Sequence, residues 1–148
     1  MVDESNIFLN CTYKTDIELL TDISNKLIKN GYVKKSFTKS ILDREKIYPT
    51  ALKLDKFGIA IPHTDSENVL KSGIAFVKLN ENCEFKEMCT NKDVEVNMAF
   101  ILLVKDKKKQ VDTLTKLMNL FSKNDILEKL YNEENKISIA KILNNEIK

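Results

Sequence analysis

Val94-Glu95-Val96-Asn97-Met98-Ala99-Phe100-Ile101-Leu102-Leu103-Val104 is the stretch that decides the architecture. It begins by alternating, with Glu95 and Asn97 between Val94, Val96 and Met98, and then runs apolar without a break. Alternation suits a strand with one face in water, whereas an unbroken apolar run needs cover on both faces. The stretch therefore predicts a central strand with helices above and below it. Moving upstream, residues 74–79, residues 58–61 and the short segment 7–9 read as further strands. The connection between residues 79 and 94 contains no helical pattern, so those two strands pair without a parallel crossover and the sheet is mixed.

Helical spacing surrounds these strands. Ile17, Leu20, Ile23 and Leu27 form one stripe over residues 15–30, with Asp16 in the first turn and Gly31 as the stop. Phe37, Ile41 and Leu42 mark a second helix over residues 38–47, which Pro49 ends, and Arg44 lies near its C-terminal end. Val111, Leu114, Leu117, Met118 and Phe121 form a third stripe, followed by shorter helices over residues 124–130 and 136–147. The expected fold is α/β: a three-layer α/β/α sandwich around a central mixed sheet, with one domain spanning residues 1–148.

Composition narrows the chemistry. The 148 residues are 43% hydrophobic and 31% charged, which supports a packed core and excludes a disordered tail. The 24 basic and 22 acidic side chains nearly cancel to a net charge of +2, so nothing marks a nucleic-acid surface. There is one histidine, His63, and one arginine, Arg44. Three scattered cysteines, Cys11, Cys83 and Cys89, form no C-x-x-C pair and with one imidazole make no zinc set. They read as packing or surface thiols in a reducing compartment. The acidic N-terminus lacks the pattern of a signal peptide, no apolar run is long enough for a membrane span, and no Gly-rich loop cradles a nucleotide. The expectation is a cytoplasmic protein that needs neither metal nor cofactor.

Gly58-Ile59-Ala60-Ile61-Pro62-His63-Thr64-Asp65-Ser66-Glu67 stands apart. Pro62 ends the strand and delivers His63 at its carboxyl end, where open α/β sheets collect reactive groups. A neutral imidazole is a nucleophile able to attack phosphorus, and the Arg44 guanidinium fits phosphate oxygens bidentately. Thr64 and Ser66 are candidate donors to the same group, and Asp65 or Glu67 is a candidate to hold the other ring nitrogen. The same residues also fit a plainer description. Thr64-x-x-Glu67 matches a capping box, and Arg44 suits the carbonyls at the end of its helix. Spacing alone does not choose between them.

Arg44-Glu45-Lys46-Ile47-Tyr48-Pro49-Thr50, followed by the segment from Gly58 through His63-Thr64-Asp65, resembles the enzyme IIA domain of the bacterial sugar phosphotransferase system. The class is the fructose/mannitol one, and the combination is nearest the galactitol-type branch. The order of residues 94–104, Gln110-Val111 and the Leu114/Leu117 helix extends the likeness along nearly the whole chain. The resemblance implies that His63 is phosphorylated at Nε2, accepting from phospho-HPr and passing the group to a cysteine of enzyme IIB. Enzyme IIC then takes part only indirectly, at the membrane. Arg44 matches the arginine beside the phosphohistidine, and the family fold is an α/β/α sandwich on a mixed sheet.

Two positions depart from the family pattern. Mannitol-type members carry a second active-site histidine before the Q-V pair, where this chain has Lys108 or a neighbour. Galactitol-type members often carry a histidine at the position of Asn68. The lysine-rich segment 105–109 opens a helix, where cations oppose the dipole, and phosphate binding by Lys108 would account for it; a solvated loop would equally. The resemblance also admits a regulatory relative, whose phosphorylated His63 signals sugar status and feeds no transport. A binding module without phosphotransfer is the remaining alternative.

Overall fold

Thr15 starts the first long helix by accepting a hydrogen bond from the Glu18 amide, and Gly31 stops it at a φ of +80°. There the Gly31 amide donates to Ile28 and the Tyr32 amide to Leu27, the paired bonds of a helix end that requires a left-handed residue. The computed structural model describes residues 1–148. In chain order its elements are β1 (Ile7–Cys11), α1 (Asp16–Lys29), α2 (Phe37–Ile47), β2 (Ala51–Lys53), β3 (Gly58–Ala60), β4 (Gly73–Lys86), β5 (Asp93–Leu103), α3 (Lys107–Phe121), α4 (Asn124–Asn132) and α5 (Lys136–Glu146). Short 3-10 turns occupy Glu4–Asn6 and Ser66–Asn68.

The five strands form one sheet in the order β1-β4-β5-β3-β2. β1 runs parallel to β4 and β3 parallel to β5, whereas β4 with β5 and β2 with β3 are antiparallel, so the sheet is mixed as expected. Two apolar clusters sandwich it. Leu19, Leu20, Ile23 and Leu27 of α1 and Phe37 and Ile41 of α2 cover one face. Leu117, Leu120 and Phe121 of α3, Leu127 and Leu130 of α4, and Ile139 and Leu143 of α5 cover the other. No helix is long and apolar enough to cross a membrane.

β5 is central, as its sequence predicts, but it changes hand partway along. Val94 and Val96 join the α1–α2 cluster, whereas Met98, Phe100 and Leu102 join the opposite one, so strict alternation breaks between them at Asn97. The pairing with β4 jumps at the same level, from Lys78 opposite Met98 to Cys83 opposite Val96. β3 begins there. The Gly58 amide donates to the Asn97 side chain at 3.0 Å, and a Cβ on Gly58 would lie 1.8 Å from the Glu95 carbonyl oxygen. Only glycine permits that approach.

Several expectations are corrected. Ile17, Val111 and Met118 are exposed, 63%, 67% and 41% respectively, because each sits at the margin of its helical stripe and the sheet reaches only its centre. β2 had no periodic signal, and β4 continues well past Leu79.

Candidate functional site

The β2–β3 hairpin brings the end of α2 to the end of β3. Ala51 pairs with Ala60, and the Ile61 amide continues the ladder to Thr50, donating to Oγ1 at 3.2 Å and to the carbonyl at 3.4 Å. Thr50 is thereby set opposite Ile61, one residue short of the Pro62-His63 step. Pro62 leaves its own carbonyl to the Leu102 amide of β5, 3.1 Å away, so the backbone around His63 is tied on both sides.

The imidazole is half-buried, and its Nδ1 lies 2.8 Å from the Ile61 carbonyl oxygen. A carbonyl only accepts, so Nδ1 carries the hydrogen and Nε2 holds the free lone pair. This corrects the expectation for Asp65 and Glu67: the group that fixes the ring is a backbone carbonyl, placed by the extended conformation that Pro62 imposes on Ile61.

Thr64 and Asn68 turn inward. Thr64 is 5% exposed and shares a hydrogen bond with Ser40 of α2. Asn68 accepts from Ser36 at 2.7 Å and donates to Ser40 and to the Asp65 carbonyl, each at 3.1 Å. Asn68 is thus a clamp between α2 and the loop. The capping box does not form, because Asp65 precedes a 3-10 turn without a side-chain cap and the Thr64 hydroxyl is taken by Ser40. Ser66 opens that turn, its carbonyl accepting from Val69, and is 9% exposed. From the other layer, Gln110 of α3 donates to the Thr64 carbonyl at 3.2 Å. Lys108 lies in the first turn of α3, exposed, with its amide capped by Asp106. Ser36 and Ser40 carry no signal in the sequence, and Gln110 enters it only through the Gln110-Val111 pair, without a role of its own.

Ser40 and Arg44 share one face of α2, a turn or about 6 Å apart along the axis. Since Ser40 touches Thr64, Arg44 lies on the flank of the helix that faces the His63 loop. Its guanidinium stacks on the Tyr48 ring at 4.5 Å, forms no ion pair with an acid within 4.0 Å, and its Nε is buried without a partner. A guanidinium without an acid partner, on the helix flank that faces the His63 loop, has the chemistry to meet a phosphoryl group. Glu45, next to it, is buried and receives both the Thr50 amide and hydroxyl, and burial pushes its carboxyl up to about 7. The cysteines stand apart from this chemistry: Cys83 is buried in the core with its thiol pushed up to about 11 by burial, Cys11 is half-buried, and Cys89 is exposed.

The family described as "Phosphoenolpyruvate-dependent sugar phosphotransferase system, EIIA 2" matches residues 1–146. The galactitol-specific EIIA component of Escherichia coli K12 is 28% identical over 113 residues, covering 76% of this chain and 75% of that protein. The mannitol-specific EIICBA component of the same strain is 30% identical over 128 residues, covering 84% of this chain and 19% of that larger protein. Among solved structures, the crystal structure of IIA mannitol from E. coli has a TM-score of 0.78 at 26% identity, covering 97% of this chain and 99% of that one. IIA mannitol in its complex with phosphorylated enzyme IIB, also from E. coli, gives 0.78 at 26% identity over 98% of each chain.

Proposed function

The chain belongs to the EIIA 2 family of the phosphoenolpyruvate-dependent sugar phosphotransferase system, and from that membership we propose that His63 carries the phosphoryl group, taking it from phospho-HPr and yielding it to a cysteine of enzyme IIB. EIIA components are phosphotransferases that hand phosphate to EIIB. The observation that carries the assignment of the residue is the bond from Nδ1 to the Ile61 carbonyl, which leaves Nε2 as the nucleophile on the only imidazole in the chain.

In the first step the Nε2 lone pair attacks the phosphorus of the donor phosphohistidine. The donor N–P bond breaks and its electron pair returns to the donor ring. Nδ1 keeps its hydrogen, the His63 ring becomes cationic, and the Ile61 carbonyl accepts a stronger, charge-assisted bond. In the second step a thiolate of enzyme IIB attacks the phosphorus, the Nε2–P bond breaks, and neutral imidazole is restored. Arg44 neutralises the equatorial oxygens in both steps, and Lys108 adds a second, outer positive charge. Thr64, Asp65, Ser66 and Asn68 hold the loop in shape. Exposed Ile47, Tyr48 and Val111, on the elements that frame His63, offer apolar surface to both transient partners.

The pathway proposed is uptake of a galactitol-like polyol, with enzyme IIC selecting the carbohydrate and this protein acting in the cytoplasm. The galactitol-specific relative and the paired motif around Arg44 and His63 support transport over signalling. Incubation with enzyme I, HPr and labelled phosphoenolpyruvate should give an acid-labile label, and His63→Gln should take up none. An acid-stable label, or one retained by that variant, overturns the assignment. Failure to pass the group to a cognate enzyme IIB would select the regulatory reading.

A further inference from the structure

The hydrogen bonds behind His63 continue beyond Ile61. The Ile61 amide donates to Thr50 Oγ1 at 3.2 Å. A hydroxyl has one hydrogen, and that of Thr50 points at Glu45, whose carboxylate oxygens lie 2.9 and 3.0 Å away. The Thr50 amide donates to the same carboxylate at 3.0 Å. The series thus runs from Glu45 on α2, through Thr50 at the start of β2 and Ile61 at the end of β3, to the imidazole.

The choice of residue at position 45 is informative. Phe37, Ile41 and Glu45 lie on one stripe of α2, and all three are buried, so a leucine or methionine would fill the place without desolvating an acid. A carboxyl group offers acceptor oxygens that no apolar residue has, and once ionised, as it is above its value of about 7, it accepts and never donates. Facing the ionised form, the Thr50 hydroxyl can only point its hydrogen toward Glu45, which leaves an oxygen lone pair toward the Ile61 amide. A glutamine presents N–H groups and competes for that lone pair.

We propose that Glu45 is a positioning residue for the phosphoryl acceptor: by taking both Thr50 donors it fixes the Thr50 hydroxyl and the Ile61 backbone, and so holds the carbonyl that keeps His63 in its Nδ1–H tautomer. Its consequence for phosphotransfer rests on His63 being the phosphoryl carrier, whereas the tautomer is a property of the resting protein and is measured without partners. Desolvation strengthens the bonds in the series, since each lies on buried or half-buried groups where water does not compete.

The test reads the nitrogen-15 signals of the His63 imidazole, which are unambiguous in a chain with one histidine. At pH 8, where Glu45 is ionised, the wild-type protein should show a protonated Nδ1 and an unprotonated Nε2. Thr50→Val and Glu45→Gln should both move the signals toward the Nε2–H form, and the rate of label uptake from phospho-HPr should fall about tenfold to a hundredfold with the loss of ring alignment. Thr50→Ser, which keeps the hydroxyl, should restore both readouts. If Thr50→Val does not fold, Glu45→Gln carries the measurement. Wild-type tautomer signals in a folded Thr50→Val or Glu45→Gln protein, or a Thr50→Ser protein as impaired as Thr50→Val, overturn the proposal. A tautomer that responds while the wild-type protein takes no label from HPr would refute the phosphoryl-carrier role and leave the positioning series standing.

Discussion

Glu45 and Lys78 are both buried charged side chains, 6% and 8% exposed, and they sit on opposite faces of the sheet. Glu45 takes its bonds from Thr50, at the corner where α2 meets β2 and β3. Lys78, on β4, donates to the carbonyls of Leu130 at 3.3 Å, Tyr131 at 2.9 Å and Glu133, closing the C-terminal end of α4. Each charge is matched by groups of the opposite polarity, yet the bonds lead to different places. Those of Lys78 end in a helix terminus, where a cation meets the negative end of the dipole. Those of Glu45 continue through a hydroxyl and a peptide to His63. A buried charge therefore says little about function until its hydrogen bonds have been followed outward.

The largest effect that separates the two corners should be on phosphotransfer. Arg44→Ala is expected to slow label uptake by about a hundredfold to a thousandfold, the cost of removing one preorganised charge from a transition state, whereas Lys78→Met should label at the wild-type rate. A Lys78 variant that labels as poorly as the Arg44 variant would erase the distinction.

Next in size is the pH dependence of stability, and its sign differs between the corners. The Glu45 carboxyl rises from an ordinary 4.5 to about 7, chiefly through desolvation, so between those values the folded chain holds a proton that the unfolded chain has lost. Stability from this group falls as pH rises across that window, by at most about 3 kcal/mol. Asp16 of α1 raises the Glu45 value further, and Asp43 and Lys46 of α2 and Lys86 of β4 line the same cleft and set the background slope. Glu45→Gln should flatten urea-denaturation midpoints between pH 4.5 and 7. Lys78 is held below its usual 10.5 by desolvation, so its contribution rises with pH as the folded chain sheds that proton first, and Lys78→Met should remove only this alkaline component.

At neutral pH, Lys78→Met should cost about 1–3 kcal/mol in denaturant unfolding, because three carbonyls lose their donor. The smallest effect is expected for Lys108→Ala, about twofold to threefold in label uptake and more at low salt, as befits an exposed charge. Equal rates and equal salt dependence would remove Lys108 from the site.

Much of this was legible in the sequence, and the rest had physical reasons to be hidden. The unbroken run after Met98 identified β5 because burial on both faces leaves no polar position, and the Pro62-His63 step marked the proposed phosphoryl acceptor because proline ends a strand visibly. β2 was silent because three residues at a sheet edge show no period. The extension of β4 was masked by Asn80, Glu81 and Asn82, exposed polar residues at the irregularity in its pairing with β5, beyond which Cys83 and Phe85 return to the core. The partner of the His63 ring was invisible for another reason: a backbone carbonyl has no letter in the sequence. Glu45 did leave a trace, as an acid in register with Phe37 and Ile41 on the buried stripe of α2.

The pairing of β3 with β5 also bears on how the molecule assembles. β4 and β5 are joined by a short turn and zip locally, whereas β3 pairs with the free edge of β5 although all of β4 intervenes in sequence, and Gly58 must seat against a Glu95 carbonyl already fixed in that hairpin. Loop-closure entropy makes such a long-range parallel pairing late and slow. The strand that delivers His63 is therefore, like the parallel edge strand β1, added to a finished template, so competence to accept phosphate reports the later pairings of the sheet more faithfully than helix content does.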